Sequence, residues 1–311
     1  MRTGKYDMTK AVNIIKYAAA ALLTAAFTAY LLFFGAESRL DASNGLNICA
    51  NVILTTVFPF SVASQLLITS GVCGRLGKII KAPASFLFGL SPAGAGILLL
   101  GLIGGYPCGA YGASELYKNG EIGKSEAEAL ISYTNNATPA FMINYIGPLL
   151  GSARLGALCY FLNVAAALLW AFFLRGKTGK RCDLTAEKSG FSFVSAVTKS
   201  ASSAVYTCAF VIIFSVISGA FARLDAPFLS RFMPALFEIT TGASILAASS
   251  GRLTAAAVCG AVSFSGLCVA AQVFSVSKEA GISAKYYVFA KIFQGFICFI
   301  SLYLIYPFII S

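Results

Sequence analysis

The sequence predicts an all-α polytopic membrane protein made of two inverted-topology repeats, each with a re-entrant hairpin and a broken transmembrane helix. Three observations predict it. The 311 residues are 58% hydrophobic and only 11% charged, with a mean hydropathy of +0.80, whereas soluble domains carry about 25% charged residues. Several apolar runs reach the ~20 residues that cross a bilayer, 17–34 and 201–222 most clearly. Other apolar runs are cut, in corresponding places of the two halves, by glycine, proline, amide and hydroxyl residues. Such interruptions persist at membrane depth only where they are buried in protein or line a cavity.

Composition also excludes function classes. The net charge is +11, but the basic residues lie between apolar runs, so they read as topology signals and imply no nucleic-acid partner. The chain has no histidine, which removes His-based triads, metal sites and proton relays. The nine cysteines (Cys49, Cys73, Cys108, Cys159, Cys182, Cys208, Cys259, Cys268 and Cys298) contain no C-x-x-C pair and read as small apolar residues. No paired-carboxylate motif, metal-ligand spacing or nucleotide-binding loop is present, so we expect no enzyme, no cofactor and no metal. The first apolar run exceeds a signal-peptide core and reads as an uncleaved span.

One membrane domain, 1–311, accounts for the chain. Residues 1–45 hold a basic start (Arg2, Lys5, Lys10 and Lys16 against Asp7), a first span at 17–34 and a short outer loop, 35–45. Repeat 1 is 46–174. It begins with a span at 46–70 and a basic loop carrying Arg75, Lys78 and Lys81. A hairpin at 83–119 follows, turning at Gly104–Gly109, then a broken helix at 129–151 and a return span at 155–174. The loop 175–200, with Arg175, Lys177, Lys180, Arg181, Lys188 and Lys199, is strongly basic. Repeat 2 is 201–311: a span at 201–222, a second hairpin at 233–252, a broken helix at 253–276 and a final span at 286–310. The loop-charge bias puts the N-terminus and the two basic loops in the cytoplasm and the C-terminus outside.

The two halves share fragments. Gly112-Ala113-Ser114-Glu115-Leu116 matches Gly242-Ala243-Ser244-Ile245-Leu246, and Ser132-Tyr133-Thr134-Asn135 then stands where Ser263-Phe264-Ser265-Gly266 stands in the second half. A broken helix exposes N–H groups at one end and carbonyls at the other, carrying about half a charge. The N–H end can hold an anion, and the carbonyl end a cation. The expected substrate-binding residues are Gly104, Gly105, Pro107, Thr134, Asn135, Asn136 and Thr138 from the first half. Glu238, Thr240, Thr241, Ser263, Ser265 and Gln272 come from the second.

Each has a plainer reading. The asparagines can serve as interhelical hydrogen-bond glue and the serines can bond their own helices. Glu115 lies close to Lys118 and can be interfacial. Lys291 is expected to snorkel or pair locally, with a counter-charge to an anionic substrate as its functional alternative. Phe289, Phe293, Phe296 and Phe299 are expected to pack against neighbours and lipid.

Gly104-Gly105-Tyr106-Pro107-Cys108-Gly109-Ala110 and Thr134-Asn135-Asn136-Ala137-Thr138-Pro139-Ala140-Phe141 resemble the sporulation integral membrane proteins of the YlbJ type, whose domain is called the nucleoside-recognition or gate domain. Leu236–Gly242 and Ser265–Val273 extend the resemblance to about 45–305. It implies a protein of spore-forming bacteria, linked to cortex formation and dipicolinate passage across the outer forespore membrane. It also implies a remote similarity to concentrative nucleoside transporters, which use two opposed re-entrant hairpins. Tyr106 and Cys108 around Pro107, and Asn136-Ala137-Thr138, depart from the usual pattern.

The expected function is therefore a secondary transporter or facilitator of a small, dipicolinate-like organic anion, located in a bacterial cell or forespore membrane. An ion-coupled nucleoside or nucleobase transporter and a non-transporting sporulation assembly factor are the rivals. The expected partners are that anion or nucleoside, the lipid bilayer, and further copies of this chain or other membrane proteins. The coupling ion is left open.

Overall fold

The computed structural model describes residues 3–177 and 192–310. Arg2, and Lys180, Arg181, Cys182 and Lys188 of the basic loop, lie outside the described residues. Every regular element among the described residues is helical, as expected where backbone polar groups must be satisfied within their own segment. Among the described residues, helices long and apolar enough to cross a membrane number six, or seven if one bent pair counts as a span. The chain is an integral membrane protein.

The first helix, α1 (Thr3–Phe33), is followed by the 35-residue α2 (Gly35–Thr69), which passes through a π turn at Cys49–Val57. The outer loop expected at 35–45 is thus helical. No proline breaks it, and its Asp41 finds a partner in Arg223, which follows α10 (Phe193–Ala222). Ser38, Asp41 and Gly45 form its buried face at helical spacing. Asp41 accepts two hydrogen bonds from the Arg223 guanidinium, at 2.6 and 2.8 Å, and lies where Gly219 has no side chain. This pairing pushes the Arg223 pKa up from its ordinary value. Asp41→Asn should cost about 1 kcal/mol, the small size following from the partly exposed Arg223. A thermal melt of the purified variant measures it.

After α2 come α3 (Val72–Ile79) and α4 (Lys81–Phe88), then α5 (Pro92–Gly104), which bends 91° from α4. The first half continues with α6 (Cys108–Lys118), α7 (Lys124–Tyr133), α8 (139–149, with a π turn at Met142–Ile146) and α9 (Ala153–Phe173). The second half has α10, α11 (Pro227–Phe237), α12 (Ile239–Leu246), α13 (Arg252–Phe264), α14 (Gly266–Glu279) and α15 (Lys285–Ile305). After the long α2 the first half thus has four short helices, α3 to α6, and after the long α10 the second half has two, α11 and α12; an interrupted helix and a long helix then close each half. At ~1.5 Å per residue, α5 and α6 each extend no more than ~20 Å, short of a ~30 Å hydrocarbon core.

The long helices frame the short ones. α13 crosses α15 at backbone distance, because Gly260 and Gly295 each stand where a Cβ would meet the other's carbonyl, at 3.0 and 3.1 Å. Phe293 packs against Trp170 of α9 at 5.4 Å between rings, while Phe289 and Phe296 point outward.

Candidate functional site: convergence of four helix interruptions

Four interruptions separate the short helices: Gly105–Pro107, Thr134–Thr138, Glu238 and Ser265. Each has a local cause. Gly105 has a φ of +72°, open to glycine, and the Tyr106–Pro107 peptide is cis. Pro139 starts α8, with the Thr138 hydroxyl accepting from the Phe141 N–H at 3.0 Å as its N-cap. Glu238 is extended and caps α12, its two carboxylate oxygens accepting from the Thr240 and Thr241 N–H groups at 3.0 and 2.7 Å. Ser265 has a φ of +77°, the one non-glycine residue in the left-handed region among those described.

The interruptions are tied to one another. Asn135 donates to the Ile131 carbonyl at 2.7 Å and accepts from the Ala110 N–H at 2.9 Å, so it caps the start of α6 from another interruption. Gly101 and Gly109 let α5 and α6 press onto the Thr134 backbone. The Tyr106 hydroxyl donates to the Val262 carbonyl at 3.2 Å and accepts from Ser265 at 3.0 Å, joining the first interruption to the fourth. Tyr145 of α8 donates to the Thr240 carbonyl at 3.1 Å. Gly266 rests against Ile239 and the Leu236 and Phe237 carbonyls, joining the fourth to the third. Gly109→Val would drive two methyl groups into the Thr134 backbone. It should cost about 2–3 kcal/mol and lower the monodisperse yield of purified protein.

A cavity of about 320 Å³ lies against this knot, walled from both halves by Asn51, Tyr106, Thr138, Tyr145, Glu238 and Gln272 among others. Among the described residues, Glu238 is its one charged wall residue. A second, polar cavity of about 540 Å³ shares Thr207 and Gln272 with it and includes Gln65, Pro107 and Ser114. At its edge Lys199 of α10 donates to Glu115 of α6 at 2.8 Å. The partner of Glu115 is therefore Lys199, 84 residues away, and not the adjacent Lys118.

The expected binding residues divide into two groups. Thr138, Glu238, Thr240 and Gln272 reach the smaller cavity, and Pro107 the larger one. Gly104, Gly105, Thr134, Asn135, Asn136, Thr241, Ser263 and Ser265 do not line either. Thr134, Asn135, Asn136, Ser263 and Ser265 are fully buried. The partners of Thr134 and the two asparagines are visible in the geometry. Thr134 donates to the Leu130 carbonyl at 2.6 Å, and Asn136 donates to Tyr133 at 2.7 Å. At two of the helix starts, amides are already occupied: the Ala110 N–H of α6 by Asn135, and the Thr240 and Thr241 N–H groups of α12 by Glu238.

Lys291 does not snorkel. It is 1% exposed, and its ammonium donates to Asn136 Oδ1 at 3.1 Å and Gln294 Oε1 at 2.8 Å, with the Tyr106 and Tyr287 rings each 5.7 Å away. Asn51, Tyr145 and Thr207 were missed as wall residues. The available signal was a polar side chain inside an apolar span. All seven cysteines whose side chains are described are free, and among the described residues no cluster suits a metal ion.

The chain is similar to the sporulation integral membrane protein YlbJ of Bacillus subtilis (strain 168), at 25% identity, with 83% of this chain and 75% of that protein covered. The resemblance to the YlbJ type carried by the motifs thus extends over most of the chain. No family model matches, and no solved structure matches.

Proposed function

We propose that the chain is a secondary transporter or facilitator of a small organic anion, working by alternating access around the four converging helix interruptions. That convergence, contributed by both halves against one cavity, carries the reading. Interrupted backbone at membrane depth is characteristic of transporter sites at a repeat interface, where two halves rock against a fixed centre. In this reading the halves insert with opposite orientation. The larger cavity is then the access route, entered from the cytoplasmic side that Lys118 and Lys199 mark by charge.

The anion is supported by Lys291. The hydrogen bonds of this buried amine among the described residues go to two neutral amides, so no carboxylate among them takes up its positive charge, and an intramembrane ionisable residue is a functional candidate by default. The similarity to a sporulation integral membrane protein adds a role in spore formation to the proposal, and a cell or forespore membrane is its proposed location. No chemical step is needed, so the chain is not an enzyme in this reading. The energy source is a gradient.

One observation favours ion-coupled nucleoside transport as the second reading. Glu238 supplies negative charge to the cavity wall, beside the amides of Asn51 and Gln272 and the rings of Tyr106 and Tyr145. That lining suits a neutral, hydrogen-bonding aromatic solute with a cation.

The test is thermal stabilisation followed by flux in proteoliposomes, across pyridine dicarboxylates, aliphatic dicarboxylates, uridine and adenosine, with and without sodium and proton gradients. A ligand at ~100 times its Kd should stabilise the fold by about 2.7 kcal/mol. Stabilisation and flux of a dicarboxylate are expected. Flux of nucleosides alone would replace the first reading by the second. Neither binding nor flux of any solute would leave an assembly role in the spore membrane.

A further inference from the structure

Away from the cavities, a cleft of about 720 Å³ opens where α3 meets α4, opposite the residue Arg175 that follows α9. Among the described residues its charged lining is Lys78, Lys81 and Arg175, and Ser85 adds a hydroxyl. Two apolar side chains, Ile79 (77% exposed) and Phe86 (67% exposed), complete it.

Local sequence explains the arrangement. Lys78 stands in the last turn of α3, where a helix C-terminus favours a cation. Lys81 and Ser85 are four residues apart on α4 and share a face. The Arg175 guanidinium lies 4.9 Å over the Phe86 ring, which fixes its position. The 91° bend between α4 and α5 matters most. If α5 runs into the membrane, that bend turns α4 along its surface, at headgroup depth. There Ile79 and Phe86 can face acyl chains while two ammonium groups, a guanidinium and a hydroxyl converge above them.

We propose that this cleft binds the phosphodiester headgroup of an anionic phospholipid, with Ile79 and Phe86 against its acyl chains. Basic pockets between membrane helices recognise such headgroups by charge. A zwitterionic lipid would bring its ammonium group against the like-charged ammonium groups of Lys78 and Lys81. The site is independent of the transported solute.

Native mass spectrometry of the purified full chain, supplied with phosphatidylglycerol or phosphatidylcholine, tests it. The expected result is preferential retention of phosphatidylglycerol by about tenfold. In K78Q/K81Q/R175Q that preference should vanish, while K124Q/K278Q/K285Q, which removes the same charge elsewhere, should keep it. Three results would each overturn the proposal: preference retained in the first variant, preference lost equally in the second, or displacement of the lipid by inorganic phosphate alone. The last would mark a free-phosphate site. If the triple variant does not purify, Lys81→Gln and Arg175→Gln are read singly, and a preference unchanged in both overturns the proposal equally.

Discussion

Asn136→Leu is expected to destabilise the fold by about 3 kcal/mol, more than any other single polar replacement near the site. Lys291 is a fully buried cation, and Asn136 Oδ1 is one of its two hydrogen-bond acceptors, the other being Gln294. A leucine there leaves the ammonium with a single acceptor in an apolar environment, and stranding part of a buried charge costs several times an ordinary lost hydrogen bond. The same replacement also removes the 2.7 Å bond to the Tyr133 carbonyl at the end of α7. Lys291→Met in the same background should recover most of the loss, because no charge then needs solvating. The two changes should be strongly non-additive in a double-mutant cycle read by thermal melts. Additive costs would mean that the Asn136–Lys291 bond contributes nothing measurable.

Glu238→Gln separates the two transport readings by the sign of its effect. The carboxylate holds both amides at the start of α12 and faces the smaller cavity. Glutamine keeps one acceptor oxygen, so the structural cost should stay near 1 kcal/mol. The electrostatic effect is larger, since a unit charge about 4 Å from a ligand interacts by several kcal/mol at protein-like dielectric. If the solute is an anion, removing the wall's negative charge should tighten its binding about tenfold in a thermal-shift titration. If the solute is a nucleoside moved with a cation, flux should fall at least about tenfold and its ion dependence should disappear. An unchanged affinity together with unchanged flux would take Glu238 out of the site and leave it as a helix cap.

Much of this architecture was legible along the chain. Gly105 and Pro107 marked the turn between α5 and α6, because neither residue type continues a helix at low cost. Asn135 and Asn136 marked the end of α7, because amides before a proline compete with helical bonding. Glu238 was legible as an intramembrane acid. Ser265 was legible only through its place in the repeated fragments, since no breaker residue precedes Gly266. The helical nature of 35–45 was not legible. Its charged residues read as a solvated loop until Arg223, 182 residues away, proved to be the partner of Asp41. The pairing of Glu115 with Lys199 and the burial of Lys291 were hidden for the same reason.

By itself, then, the sequence determined that this chain lies in a membrane, that it is helical, and where its helices are interrupted. These follow from local quantities: hydropathy over a span and the backbone preferences of glycine, proline and capping residues. Only the tertiary structure decided which interruptions meet, which helix starts are already capped, and which polar groups face open space. Asn135 closes a helix start that lies 25 residues earlier in the chain, and Glu238 closes its own while bordering the cavity. A polar side chain at membrane depth must find a partner, and the sequence records that need. The identity of the partner depends on distances between segments far apart in the chain, which packing alone sets.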